Sequence, residues 1–251
     1  MPLLSKKDLW NSYKHLLLLL YDPIILFGFF MLERIITVPK YVMHTRIDEL
    51  IPFIPAFIIP YCTWYAYIVL TVIYTGLFDK KNFINFCAFM YTGMTSCFIL
   101  YVLFPNGQDL RPTLTQQGFL YDWIRHLYKI DTPTNSIPSI HVINSMAVYF
   151  ALKYTPALKD KKAFQACNLT VNVLIILSTM AIKQHSILDV VAGMAFAVAL
   201  WFGIYRYDLP ARFIVKLKEG RAVPDFIPEA LNLPLEEEAE VAKVESPEHI
   251  R

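Results

Sequence analysis

Residues 51–78 read IPFIPAFIIPYCTWYAYIVLTVIYTGLF, without one Asp, Glu, Lys or Arg. A helix rises about 1.5 Å per residue, so roughly 20 consecutive apolar residues cross the hydrocarbon core of a bilayer. This stretch is long enough to do so. Working outward, uncharged runs recur at 82–108, 132–152 and 163–182, with weaker apolar runs at 15–32 and 190–205. The chain of 251 residues is 56% hydrophobic and only 18% charged, with mean hydropathy +0.42. Soluble domains are roughly 45–50% apolar and 25% charged, so an ordinary soluble enzyme is excluded. The reading is an all-α, polytopic membrane protein with six transmembrane helices, near 15–32, 56–77, 83–104, 138–154, 163–182 and 185–206.

The first run follows Lys6, Lys7 and Lys14 in the manner of a signal peptide, but no small-residue cleavage site follows it. Asp22-Pro23 interrupts it, which predicts an uncleaved helix kinked at the proline. The loop 105–138 carries an amphipathic piece (Phe119, Leu120, Trp123, Leu127) suited to the membrane interface. Six spans put both termini on one side. That side holds Lys6, Lys7, Lys14, Lys80, Lys81, Lys153, Lys159, Lys161, Lys162, Arg206, Arg212, Lys216, Lys218 and Arg221; the other holds Arg34, Lys40, Arg46, Arg111, Arg125, Lys129 and Lys183. Loop cations favour the cytoplasm, so both termini are expected inside, in the plasma membrane, with the loops after spans one, three and five outside. A six-span catalytic domain is expected over 1–220. An acidic, disordered cytoplasmic tail is expected over 221–251, which carries Glu236-Glu237-Glu238 and four prolines.

A net charge of +2 with no basic, aromatic-interleaved patch argues against a nucleic-acid partner. Cys62, Cys87, Cys97 and Cys167 all lie in apolar runs at spacings that match no metal motif, and read as buried free thiols. Asn168-Leu169-Thr170 matches the glycosylation sequon but falls within a span. Arg46, Asp48 and Glu49 read as a solvated face; Asp122, Arg125, His126 and Asp131 read as interfacial loop charges.

Ionisable groups at membrane depth are costly, so those present are functional candidates. Three groups sit at the outer ends of the spans: Arg111-Pro112; Pro138-Ser139-Ile140-His141; and Lys183-Gln184-His185 followed by Asp189. Each alone has an ordinary reading as a loop arginine, a helix start or a structural hydrogen bond. The topology brings all three to one face, and together they describe chemistry. His185 and Asp189 are four apart, and a carboxylate on one ring nitrogen leaves the other free to attack. If His185 opens the sixth helix, the dipole favours its neutral form. Ser139 and the amides after it sit at a helix N-terminus suited to an anion, Arg111 can grip two phosphate oxygens, and Lys183 adds a point charge. His141 is suited to protonating a departing alkoxide. This set is suited to phosphoryl transfer through a phosphohistidine, with no metal or organic cofactor. A two-His, one-carboxylate metal site would place Arg111 and Lys183 beside the cation, which argues against it.

These residues resemble the signature motifs of the type 2 phosphatidic acid phosphatase (PAP2) superfamily, K-x6-R-P, P-S-G-H and S-R-x5-H-x3-D, over roughly residues 50–206. The order, the loop positions and the six-helix count match. The resemblance implies His185 as nucleophile, Asp189 as its assistant, His141 as the acid for the leaving group, and Arg111, Ser139 and Ser178 as phosphate-binding; Lys183 and Ile140 complete the expected phosphate-binding set. The chain departs from the motifs at Phe104, where the family has Lys, at Ile140, where it has Gly, and at Thr179, where it has Arg. Lys183 would replace a missing cation only if the fifth span breaks before it, since two residues on a helix turn about 200°. The K-Q-H-x3-D variant looks closer to a divergent branch containing inositol phosphorylceramide synthase-like proteins. The implied activity is a membrane lipid phosphate or pyrophosphate phosphatase. A phosphotransferase acting on a lipid or polyol hydroxyl and a non-catalytic lipid-phosphate binding or transport protein are the alternatives. Its expected partners are the bilayer and the lipid phosphate; oligomeric state has no sequence signal.

Overall fold

The computed structural model describes residues 6–219, so the acidic segment 221–251 lies outside the described residues. The chain is helical nearly throughout: α1 (Lys6–Tyr13), a 3₁₀ segment (Lys14–Tyr21), α2 (Asp22–Ile35), α3 (Arg46–Leu50), α4 (Ile58–Phe78), α5 (Lys80–Leu103), α6 (Phe119–Ile130), α7 (Ile140–Tyr154), α8 (Lys162–Ala181), α9 (Ile187–Trp201) and α10 (Leu209–Glu219). Two short strands, β1 (Tyr41–Val42) and β2 (Asn106–Gly107), pair in parallel and tie the loop after α2 to the loop after α5.

Among the described residues five helical stretches are long and apolar enough to cross a membrane: Trp10–Ile35, Pro55–Phe78, Lys80–Leu103, Lys162–Ala181 and Ile187–Arg206. The predicted fourth span differs. Its helix, α7, has 15 residues, about 22 Å of rise, because Pro138 and the capping Ser139 delay its start. It is the inner helix of the bundle, packed against α4, α5, α8 and α9, with most of its side chains buried. The others expose apolar side chains such as Val69, Leu70, Ile99 and Val191 on their outer faces. Such exposure fits lipid, not water. The first span runs longer than predicted. Proline has no N–H for the carbonyl four residues back, and the helix before Pro23 tightens to 3₁₀, with Asp22 N–H bonded to Leu19 O.

Polar side chains inside the bundle are tied to neighbouring helices. His15 Nε2 bonds Gly76 O at 2.8 Å, Tyr91 donates to Asp22, Asn172 donates to Ser145 O, and Tyr67 donates to Asn168. The buried Asn168 is thus a bundle contact, which accounts for a sequon inside a span. Cys87 and Cys97 are buried free thiols as expected; Cys167 is instead exposed, because it faces outward from α8.

The C-terminal ends of α2, α5 and α8 and the N-terminal ends of α4, α7 and α9 meet at one end of the bundle, as alternating spans require. Loop 104–138 covers that end. Asn106 is its organiser: Oδ1 accepts from Ser136 and Ile137 N–H, and Nδ2 donates to Phe104 O and Ile137 O. A Cβ on Gly107 would stand 2.4 Å from Pro133 O and 2.9 Å from Pro39 Cβ. Gly107→Ala is therefore expected to destabilise the fold by about 1–3 kcal/mol, read as a lower thermal midpoint in detergent; an unchanged midpoint would show that the loop yields freely.

Candidate active site

Helix α8 ends in a Schellman motif: Gln184 N–H bonds Thr179 O at 2.8 Å and Lys183 N–H bonds Met180 O at 3.0 Å, with Lys183 at φ +55°. This turn reverses the chain and hands it to α9 within a few residues. His185 N–H also bonds Thr179 O, at 3.0 Å. His185 does not open α9, as the sequence suggested. Ser186 is the N-cap, since its hydroxyl is the better acceptor for the first free amides, and Asp189 completes the capping box by accepting from Ser186 N–H at 2.9 Å. The same Asp189 oxygen, Oδ2, lies 3.2 Å from His185 Nδ1. Asp189 is fully buried, and its Oδ1 has no partner.

The other nitrogen of His185, Nε2, lies 3.4 Å from His141 Nδ1. A proton on His185 Nδ1, facing the carboxylate, makes Nε2 the lone-pair nitrogen and His141 the donor. His141 is the second residue of α7, and its ring is set between Tyr61 and Trp64, whose ring centroids lie 4.7 and 4.6 Å away. Two segments distant in sequence, the turn into α9 and the start of α7, therefore align Asp189, His185 and His141 in one row.

The row opens on a cavity of about 310 Å³. Its lining is mixed, with apolar side chains Leu26, Phe29 and Phe30 of α2 and Trp123 and Leu127 of α6, and polar ones Glu33, Asp131, Asn135, Gln184 and the two imidazoles. Ile140 lines the cavity. The remaining candidates stand around it. Arg111 donates to Tyr128 O, Asp131 O and Gln184 Oε1 and lies over the Tyr128 ring, so it backs the wall through Gln184. Burial pulls its pKa below the ordinary arginine value, with the Asp131 charge opposing that shift. Ser139 caps α7 by accepting from Val142 N–H, and its own N–H bonds Asp189 O, joining α7 to α9. Ser178 donates to Ile175 O within α8. Lys183 follows the helix break that the sequence required of it, yet the break sends Nζ to Asp48 O (2.7 Å) and Ile51 O. At the departures from the family pattern, Phe104 stacks on Tyr41, and Thr179 bonds Ile176 O.

Three acids escaped the sequence reading: Glu33, which lines the cavity, Asp131 and Asp48. Asp131 is not an interfacial loop charge: its Oδ2 accepts from Tyr61 OH (2.9 Å) and Gln184 Nε2 (3.1 Å) at the cavity wall. Burial pushes its carboxyl above the usual range, against the pull of Arg111 and His185. Asp48 is not on a solvated face either, being 1% exposed. Its carboxylate accepts from Thr45 N–H and hydroxyl, from Ser186 Oγ and from Ile187 N–H, so one side chain caps both α3 and α9. The T-x-x-D capping box at Thr45–Asp48 was the legible signal; its second client 138 residues on was not.

Burial alone would raise the Asp48 pKa, but the bonds from Ile187, Ser186 and Thr45 outweigh it and hold it below the ordinary value. A lowered acid pKa contributes stability above the unfolded value, near 4, that is lost as pH falls through the folded one. Asp48→Ala is expected to cost about 2–3 kcal/mol at neutral pH, with the gap to wild type closing below about pH 4. Thermal melts across that range check it, and a pH-independent gap would remove the charged cap from the account.

The membrane-length apolar helices are those of an all-α polytopic membrane protein, with two histidines and a carboxylate aligned at one end. Residues 105–212 match the family model described as the PAP2 superfamily. No curated protein and no solved structure matches the chain. The superfamily suggests chemistry of the phosphatase or phosphotransferase type on lipid phosphate.

Proposed function

We propose that the chain is a metal-independent lipid phosphate or pyrophosphate phosphatase working through a phosphohistidine on His185, at the extracytoplasmic face of the plasma membrane. The observation that carries this reading is the Asp189–His185–His141 row opening on a cavity lined in large part by apolar side chains. His185 Nε2 attacks phosphorus as the bond to the lipid oxygen breaks, and His141 gives its proton to that oxygen. His141 then takes a proton from water, whose oxygen displaces the imidazole and releases phosphate. Asp189 holds the Nδ1 proton and balances the imidazolium that forms. Arg111 supplies positive charge from behind Gln184, and the amides after Ser139 face the developing charge at the start of α7. Lys183, Ser139 and Ser178 serve by fixing the loops and helix ends that carry these groups. Leu26 and Phe30 are exposed on the outer surface as well as lining the cavity, which supports lateral access for a lipid tail.

A phosphotransferase on the same scaffold is the second reading. It is favoured by Phe104 and Thr179, which leave the site without two cations of the hydrolytic pattern. The deciding experiment is phosphate release by detergent-purified protein, with EDTA present, from phosphatidic acid, phosphatidylglycerol phosphate and undecaprenyl pyrophosphate. Release that survives EDTA supports the phosphatase. Release that appears only on adding an alcohol acceptor, as a new phosphoester, supports the transferase, and binding without turnover in either format would overturn both.

A further inference from the structure

The polar lining of the cavity carries two carboxylates and an amide oxygen, alongside donors such as Trp64 Nε1, which is itself buried without a partner. Among the described residues no Lys or Arg lines it: the Arg111 and Lys183 side chains are turned to backbone carbonyls and to Gln184 Oε1. Glu33 and Asp131 line it. Glu33 is committed to the loop, accepting from Thr132 N–H and hydroxyl and from Asn135 Nδ2. Asp131 is committed only through Oδ2; none of the bonds that fix it goes to Oδ1. Asn135 is 8% exposed, its Nδ2 is used by Glu33 and Thr134, and its Oδ1 is buried with no partner. The bond from Nδ2 to Glu33 Oε1, at 3.0 Å, holds the amide in that orientation.

A buried acceptor without a donor costs about 1–3 kcal/mol, and a carboxylate beside it repels a phosphate dianion. A ligand O–H or N–H satisfies the acceptors, and an ammonium also offsets the carboxylate charge. We propose that Asp131 and Asn135 form a headgroup subsite for a hydrogen-bond donor, hydroxyl or ammonium, placed two or three bonds beyond the phosphate. It rests on the reading that the phosphate sits at His185. The chain then prefers lipid phosphates that carry such a donor near the phosphate over bare phosphatidic acid. Asp131 and Asn135 are specificity residues in this scheme and take no part in bond making.

Binding to the His185→Asn variant in detergent, followed by calorimetry with glycerol 3-phosphate, phosphoethanolamine and inorganic phosphate, tests the subsite without turnover. Either organic phosphate should bind at least about tenfold more tightly than inorganic phosphate, the factor one charge-assisted hydrogen bond supplies. The tighter of the two identifies hydroxyl or ammonium as the donor. Equal affinities for all three would overturn the subsite even if lipid turnover is normal. Asp131→Asn supplies the second arm: its amide oxygen can keep the bonds to Tyr61 and Gln184 while its NH₂ replaces Oδ1. The ratio of kcat/KM for phosphatidylglycerol phosphate over phosphatidic acid should fall about tenfold in this variant. An unchanged ratio with both lipids turned over would overturn the proposal, whereas no turnover by the wild type counts against the phosphatase reading and leaves the binding order to decide this one.

Discussion

His185→Asn should lower phosphate release from the preferred lipid by about a thousandfold or more, while the thermal midpoint in detergent stays close to wild type. With Nδ1 held by Asp189, Nε2 is the His185 nitrogen that carries the lone pair, and it lies beside His141 at the cavity. Asparagine can still meet Asp189 through its amide N–H, so the capping of α9, which runs through Ser186 and Asp48, is left in place. Loss of turnover with a retained fold therefore assigns the effect to chemistry. The wild type should also yield an acid-labile, alkali-stable phosphoenzyme on rapid quenching, and the variant none. Turnover within a factor of a few of wild type would remove His185 as nucleophile, and with it the phosphohistidine.

His141→Asn separates the two halves of the reaction. General acid catalysis contributes about 10²–10⁴-fold, and it matters most when the leaving group is a poor one. Lipid alkoxides need the proton; p-nitrophenolate does not. The variant is expected to lose that factor with a lipid phosphate yet give a burst of nitrophenolate from p-nitrophenyl phosphate, because His141 is also the base that activates water in the second step. The phosphoenzyme should then accumulate. Equal losses on both substrates, with no burst, would recast His141 as a residue that only orients His185 through their 3.4 Å contact.

The site was legible where chemistry and spacing coincide. His185 and Asp189 are four residues apart and do meet, though through a turn and a capping box and not along one helix. His141 was legible as the imidazole of the Pro-Ser-x-His stretch, and the alternation of spans brought it to the same end as His185. Lys183 shows the limit of such reasoning. The need for a break before it was deducible from helix geometry, and the break is present. The direction of its side chain depended on where the carbonyls of Asp48 and Ile51 lie, which no spacing within 183–189 encodes. Asp131 and Asp48 were set aside as surface charges because their partners, Gln184 and Tyr61 for one and Ser186 and Ile187 for the other, are between 53 and 139 residues away.

The sequence alone determined the solvent and the architecture. Hydropathy summed over twenty residues is a strong signal, and an uncharged run of that length has few homes other than a bilayer or the core of a bundle. It also determined which residue types could carry phosphoryl transfer and the order in which they occur. Tertiary structure decided the rest: that the fourth apolar run forms a short inner helix, that the cations stand behind the wall, and that acceptors face the cavity. Those outcomes follow from hydrogen bonds between groups far apart in the chain. Each such bond forms only once the bundle has closed, so local pattern holds no record of it.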